Sequence, residues 1–278
     1  MSIDGGDGPA RIASLAMYRD PPVVAEATRA FWTYLHGHLR DGGITDAPEH
    51  LDEAIAYDAA WRDPRLLLAQ TCGYPFASRL RGRVRIVATP VYDLPGCAGV
   101  MNGSFVVVHA SAPAAAIVDL RGRIAAINDP LSNSGMNLLR RLVAPHAKDG
   151  HFFGRIVESG SHIASLAMVA NGEAEVAAID CVTYGNLARF APERLAGTRI
   201  LAETAKTPGL PFITRATASD AELQILRDGL TRFAGDPAAA HIRATLGLQR
   251  FEIRPESAYD AVLEIEREAA RLGYPVLA

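Results

Sequence analysis

Residues 124–141 read IAAINDPLSNSGMNLLRR, and they carry the strongest structural signal in the chain. The first part, IAAI, is a short apolar run typical of a β-strand, and the tripeptide NDP interrupts it. From Ser134 onward, apolar side chains recur at the spacing of a helix: Met136, Leu139 and Val143. The stretch therefore predicts a strand, a turn and the start of a helix.

The predicted turn contains three short polar residues that favour the position before a helix, Ser132, Asn133 and Ser134, followed by Gly135. Glycine has no side chain, so a ligand can approach its backbone closely. A helix N-terminus presents unpaired N–H groups and the positive end of the helix dipole, so it can hold a small anion without Lys or Arg. The turn fits either an ordinary helix cap or an anion site, and for such a turn alone the cap is the commoner role.

Composition excludes several classes of function. The chain has 278 residues, 49% hydrophobic content and a net charge of −3, values typical of a globular protein with one large or two modest domains. Its 28 Lys and Arg residues are scattered and fewer than its 31 acidic residues, so no nucleic-acid partner is expected. No apolar run approaches the roughly 20 residues that span a bilayer, so no membrane insertion is expected. The start, MSIDGGDGPARIAS, shows no export signal, so the sequence as written predicts a cytoplasmic protein.

The three cysteines, Cys72, Cys97 and Cys181, lack the spacing of zinc ligands, and we expect no metal site. One pair among them can form a disulfide in an oxidising compartment, but the sequence does not say which pair. His36 and His38 lie two residues apart on a predicted helix and so face different directions. The chain also lacks a P-loop and a dinucleotide fingerprint, so no cofactor is expected.

Predicted strands and helices alternate along the chain, which indicates an α/β protein. RIASLAM at 11–17 predicts a first strand, and the prolines at 21–22 open a helix. Polar residues follow three strands where a helix begins: the turn at 132–134, SGSH at 159–162 and Asp180 after VAAI. Open α/β sheets bind ligands at such strand ends. Beyond the short strand LPFIT at 210–214, the remaining chain is predicted to be helical.

Six motifs in order resemble the phosphate, phosphite and phosphonate substrate-binding proteins of ABC transporters. They are TCGYP at 71–75, VYDLPGCAG at 91–99, DLRGRIAAINDPLSNSGMN at 119–137, SGSH at 159–162, VAAID at 176–180 and TPGLPFIT at 207–214. The resemblance implies a type 2 periplasmic-binding-protein fold, with two α/β lobes, two hinge crossings and a ligand in the cleft between the lobes. It also implies that 1–101 and 205–278 form lobe I, that 102–204 form lobe II, and that the protein is periplasmic.

The resemblance further implies a set of binding residues. In lobe II, the anion would be held by Ser132, Asn133, Ser134, Gly135 and His162. Asp180 would face an ammonium group of the ligand. In lobe I, the wall of the cleft would consist of Tyr18, Tyr74 and Tyr92, with Asp93 as a second ammonium partner.

The expected function is binding of a small anionic or zwitterionic ligand, phosphonate-like or phosphate-like, by hinge closure of a monomer. An ABC permease would be the further partner. An enzyme of a cofactor-biosynthesis type on the same scaffold is an alternative, which needs a cysteine nucleophile near His162 as the base. A second alternative is a cytosolic ligand sensor without a transporter, which the missing export signal favours.

Overall fold

Residues 10–278, which the computed structural model describes, form two five-stranded sheets and a small three-stranded sheet. The first sheet contains, in spatial order, β1 (Ile12–Ser14), β2 (Leu66–Gln70), β12 (Phe212–Arg215), β3 (Val84–Tyr92) and β13 (Leu248–Glu252). The second contains β10 (Thr198–Glu203), β6 (Ser104–His109), β9 (Val176–Asp180), β7 (Ile124–Ile127) and β8 (Arg155–Glu158). The small sheet contains β11 (Thr207–Pro208), β5 (Met101–Asn102) and β4 (Cys97–Ala98).

Helices cover both large sheets. They are α1 (Pro22–Asp41), α2 (Tyr57–Ala60), α3 (Gly73–Pro75), α4 (Leu138–Val143), α5 (His162–Ala170), α6 (Cys181–Phe190), α7 (Asp220–Gly235), α8 (Ala240–Leu246) and α9 (Asp260–Arg271). Two π-helical turns, Phe76–Leu80 and Asn133–Asn137, continue α3 and lead into α4. Within residues 10–278, no helix has both the length and the apolar character needed to cross a membrane.

The predicted two-lobed α/β fold with two crossings is confirmed. In the second sheet β7 runs parallel to β8 and β9, whereas β6 and β10 are antiparallel additions, so the sheet is mixed. The chain passes between the lobes at β5 and β11, which pair antiparallel with Thr207 opposite Asn102. A further hydrogen bond joins the two crossing segments, in which the Ser104 N–H donates to Thr204 Oγ1 at 2.9 Å.

Each large sheet is buried on both faces. In the first sheet, one apolar layer contains side chains of α1 and α7, and the other contains side chains of α3 and α9. The second sheet packs against α4 on one face and against α5 and α6 on the other. Helices on both faces of a sheet explain why the strands read as continuous apolar runs such as LLLAQ and VAAI.

The lobe boundaries at 101 and 204 stay a prediction, and residues 1–9 of the predicted first segment lie outside the described residues. The C-terminal helix α9 contacts both lobes. Val262 is buried among side chains beneath the first sheet, whereas Ala269 is buried among strands of the second. Arg141, which belongs to α4, also pairs with Glu268 of α9 at 2.5 Å.

The prediction that the chain is wholly helical beyond residue 214 is wrong. Leu248–Glu252 forms β13, an edge strand antiparallel to β3. Only Leu248 of these five residues is fully buried. An edge strand with little burial has a weak apolar pattern, so its structure comes from pairing with β3 and not from its own sequence.

Candidate functional site

A cavity of about 380 Å³ lies between the two lobes. One wall comes from the second sheet and includes the residues that follow β7, β8 and β9. The opposite wall comes from the loop after β1 and from α2. The volume is within the range of small-molecule binding sites in proteins.

The turn after β7 forms the helix start that the sequence predicts. Ser132 caps the helical segment, because its Oγ accepts the Gly135 N–H at 2.9 Å. Ser132 and Ser134 both line the cavity. A Cβ atom added to Gly135 would lie 1.8 Å from Asn128 Oδ1, so glycine is required here by the packing of Asn128.

His162 is the first residue of α5, and the preceding Ser161 caps that helix through a 3.0 Å hydrogen bond from the Ala164 N–H. Its Nε2 lies 3.0 Å from Ser134 Oγ. Its Nδ1 is buried and has no hydrogen-bond partner in the described part of the chain. Burial lowers the pKa of His162, an effect that the Asp180 carboxylate only partly opposes, so the imidazole is neutral at neutral pH.

Asp180 ends β9 and caps α6. Its Oδ1 accepts the N–H groups of Val182 at 2.9 Å and Thr183 at 3.2 Å, and the residue is 2% exposed. The same residue lines the cavity. The structural role of a helix cap and a position facing the cavity are therefore combined in one carboxylate.

Three helix starts meet at this wall. Because β8 and β9 are both parallel to β7, their carboxyl ends lie at one edge of the sheet, and each is followed by a helical segment. The positive ends of three helix dipoles are therefore concentrated there, while the caps already accept the Gly135, Ala164, Val182 and Thr183 N–H groups. This arrangement suits an anion, and the two serine hydroxyls and the His162 imidazole can complete its hydrogen bonds.

The wall from the first lobe contains aromatic and acidic side chains, and Arg19 also lines it. The rings of Tyr57 and Trp61 lie 5.0 Å apart, and Tyr57 Oη donates to Asp129 Oδ2 across the cavity at 2.7 Å. A second contact across the lobes joins Arg194 to Asp20 at 3.0 Å. The sequence analysis did not identify Tyr57 and Trp61 as site residues. Their spacing of four residues, which places two side chains on one face of a helix, was the pattern that could have indicated them.

Five predicted residues come together at the cavity: Tyr18, Ser132, Ser134, His162 and Asp180. Gly135 is buried within the turn. The Asn133 side chain points away, because its Nδ2 donates to Thr207 Oγ1 at 2.8 Å and its Oδ1 accepts from Asn137 at 3.0 Å. The Asn133 backbone therefore stays in the turn while its amide holds the second crossing.

The remaining predicted residues do not line the cavity. Tyr92 lies behind Tyr18, with ring centroids 5.9 Å apart, and faces a separate cavity of about 40 Å³. Tyr74 packs beneath α9, where its Oη donates to Glu266 at 2.8 Å. Asp93 is exposed on the turn after β3, and its N–H donates to the Gly247 carbonyl at 2.7 Å. Burial and the nearby Asp180 carboxylate raise the pKa of Tyr18, so its hydroxyl stays protonated.

Among the residues that the structure describes, no group of three or more His, Cys, Asp or Glu side chains is placed to hold a metal ion. Cys72 lines the cavity, and its Sγ accepts the Asn133 N–H at 3.3 Å. Burial raises the pKa of the Cys72 thiol. The site is therefore one of hydroxyl, imidazole, carboxylate and backbone N–H groups.

A family model described as "ABC transporter, phosphonate, periplasmic substrate-binding protein" matches residues 14–259. No curated protein matches the chain. Among solved structures, the binding component of an ABC phosphonate transporter from Pseudomonas aeruginosa superposes with a TM-score of 0.76 at 16% identity, covering 95% of this chain and 88% of that one. The PhnD1 protein of Prochlorococcus marinus, in complex with methylphosphonate, gives 0.73 at 16% identity and covers 94% and 99%. A chloride-bound protein from Xanthomonas citri gives 0.70 at 18% identity and covers 94% and 98%.

Proposed function

Because this chain belongs to the family of periplasmic substrate-binding proteins of phosphonate ABC transporters, we propose that its ligand is a phosphonate with a cationic substituent. Membership makes the chain a solute-binding protein, and its partners are a small ligand and an ABC permease. The phosphonate group would lie against the three helix starts. The cationic group would face Asp180 and the aromatic side chains of the first-lobe wall.

One observation carries the cationic part of the proposal. Asp180 is 2% exposed, and in the described part of the chain no Lys or Arg pairs with it. Of the other cavity carboxylates, Asp20 pairs with Arg194 and Asp58 with Arg62, whereas Asp129 accepts the Tyr57 hydroxyl. A buried carboxylate beside an anion site repels a simple dianion, and a ligand ammonium would compensate that charge.

Titration calorimetry with four probes tests this proposal: inorganic phosphate, methylphosphonate, an aminoalkylphosphonate and the corresponding alkylamine. We expect the aminoalkylphosphonate to bind at least about tenfold more tightly than methylphosphonate, a difference of about 1.4 kcal/mol. The alkylamine alone should bind weakly, because it lacks the group that the helix starts hold. Equal binding of methylphosphonate and the aminoalkylphosphonate would contradict the cationic substituent. Failure of every phosphorus compound to bind would contradict the anion site.

We also propose that the protein binds its ligand without transforming it. Cysteine chemistry with His162 is poorly supported, because Cys97 and Cys181 contact each other and Cys72 contacts the Asn133 backbone. Ser134 and His162 form a hydrogen-bonded pair, but a serine nucleophile also needs a partner that orients the other imidazole nitrogen. Phosphorus NMR of an aminoalkylphosphonate after long incubation with the protein should show an unchanged spectrum. Appearance of inorganic phosphate would contradict the proposal.

The working form that we propose is a periplasmic monomer. The family description supports the location, and a cleft closed by contacts within one chain, such as Tyr57 to Asp129, supports the monomer. Expression in the native host followed by osmotic shock tests the location, and light scattering of the purified protein tests the monomer. Retention of the protein with the cytosolic fraction would favour a ligand sensor without a transporter.

A further inference from the structure

Two of the three cysteines lie side by side at the hinge. Cys97 Sγ and Cys181 Sγ are 3.4 Å apart, although 84 positions separate the two residues in the sequence. Both are free thiols, Cys181 buried and Cys97 partly exposed. Bonded sulfur atoms lie about 2.0 Å apart, so the two sulfur atoms must approach each other by about 1.4 Å to form a bond.

The backbone around the pair holds the two residues against each other. Cys97 belongs to β4 of the small sheet that contains the crossings, and Cys181 is the first residue of α6. The Cys181 N–H donates to the Gly103 carbonyl at 3.2 Å, and the Gly103 N–H donates to the Gly96 carbonyl at 3.3 Å. At Gly96, where φ is +86°, an added Cβ would lie 2.6 Å from Cys181 Cβ. The close approach of the β4 strand to α6 therefore depends on glycine before Cys97.

We propose that Cys97 and Cys181 form a thiol–disulfide site, in which oxidation by a small disulfide compound links the hinge sheet to α6. Because Asp180 caps the same helix, the disulfide joins the hinge covalently to the helix that follows a cavity carboxylate. Cys72 is excluded from the site, since its thiol contacts the Asn133 backbone in the cavity. The inference does not depend on the identity of the ligand.

The exchange reaction assigns different roles to the two thiols. Cys97, the more exposed one, loses its proton to solvent and attacks one sulfur of the oxidant, which releases one small thiolate and leaves a mixed disulfide. The Cys181 sulfur then attacks Cys97 Sγ, forms the Cys97–Cys181 bond and expels the second small thiol, which takes the Cys181 proton. Two protein thiols are oxidised and one disulfide of the oxidant is reduced to two thiols. The hydrogen bond with Cys97, and then burial, raise the pKa of the Cys181 thiol, which favours the order in which Cys97 reacts first.

The test is disulfide mapping of the folded full-length protein after incubation with oxidised glutathione. Remaining thiols are alkylated under denaturing conditions, and unreduced peptides are analysed by mass spectrometry. We expect one peptide pair linked through Cys97 and Cys181, with Cys72 alkylated. The melting temperature of the oxidised protein should exceed that of the reduced protein by several degrees, because the link restricts the unfolded chain.

Three variants give the controls. Cys72→Ser should form the link and show the same rise in melting temperature, whereas Cys97→Ser and Cys181→Ala should show neither. The wild-type map decides the question even where a variant folds poorly. Alkylation of all three cysteines after oxidation, a link that includes Cys72, or glutathione that stays on Cys97 would each overturn the proposal.

Discussion

The two walls of the cavity are built in different ways. The wall from the second lobe consists of helix starts that directly follow strands, so the turn at 132–134, His162 and Asp180 are fixed by backbone geometry and by caps. The wall from the first lobe consists largely of side chains from the loop after β1 and from the four-residue helix α2. The second-lobe wall is therefore preorganised before the ligand arrives, whereas the first-lobe wall depends on contacts made when the lobes meet. Under the proposed function, the serines and His162 of the second-lobe wall would hold the anionic group, and Asp180 together with the first-lobe wall would determine which substituent is accepted.

The combined substitution Ser132→Ala and Ser134→Ala tests the preorganised wall and has the largest expected effect. Each serine hydroxyl would donate to a charged ligand, a hydrogen bond worth about 1.5–3 kcal/mol. We expect the affinity for methylphosphonate, measured by calorimetry, to fall at least about a hundredfold. Loss of the Ser132 cap also lowers the free energy of unfolding by about 1 kcal/mol.

Ser219→Ala is the matched control for this pair. Ser219 caps α7, and its Oγ accepts the Glu222 N–H at 3.1 Å, outside the cavity. The control should lose a similar amount of stability, about 1 kcal/mol, and keep full affinity. If the double variant keeps its affinity as well, the second-lobe wall does not hold the anion.

Asp180→Asn tests the negative charge of Asp180 separately from its role as the cap of α6. Asparagine also caps helices well, so α6 should stay intact while the negative charge is lost. We expect the affinity for an aminoalkylphosphonate to fall by about 1.5–3 kcal/mol, and the affinity for methylphosphonate to stay equal or rise. An equal loss for both ligands would show that Asp180 acts through the structure of the wall and not through its charge.

His162→Ala tests the remaining donor of the wall, and we expect anion affinity, measured by calorimetry, to fall by about 1–3 kcal/mol.

The same variant also tests the lowered pKa of His162 in the absence of ligand. In the unfolded chain the imidazole takes up a proton near pH 6.5, and in the folded protein it does so only at lower pH. The stability of the wild type should therefore fall as the pH drops below about 6.5, and this component should be missing in the variant. Urea unfolding above and below that pH measures the free energy of unfolding of both proteins. If this free energy changes with pH to the same extent in the wild type and in the variant, the lowered pKa of His162 is contradicted.

The two walls also differ in how far they could be predicted from the sequence. Each helix start in the second lobe depends on residues close in the chain, and the caps at Ser132, Ser161 and Asp180 follow local rules. Tyr74 shows the limit of such reasoning in the first lobe. The family resemblance implied a place for it in the cleft, but its Oη donates to Glu266, a residue 192 positions away. Contacts at that separation are set by the packing of α9, which no local pattern encodes.

Tyr57 and Trp61 were missed for a related reason. Tyr57 begins a helix of four residues and Trp61 directly follows it, in a segment without a clear apolar period, and a helix this short is stabilised by tertiary packing. Tyr57 is 39% exposed, so burial gives no sequence signal for it. The role of such a residue comes from what faces it across the cleft, here Asp129, and that partner can be identified only in the folded protein.

Tyr57→Phe tests the first-lobe wall and has the smallest expected effect. The variant removes the hydrogen bond to Asp129 that spans the cavity and keeps the ring against Trp61. We expect ligand affinity to fall by about 0.5–1.5 kcal/mol, mainly through faster release, because the contact forms when the lobes close. Tyr74→Phe is the matched control, since it also removes a tyrosine–carboxylate hydrogen bond but lies outside the cavity. Stopped-flow measurement of the release rate with an aminoalkylphosphonate should therefore distinguish the two variants. Equal release rates in both would mean that the first-lobe wall does not hold the cleft closed, and that selection of the substituent depends on Asp180 alone.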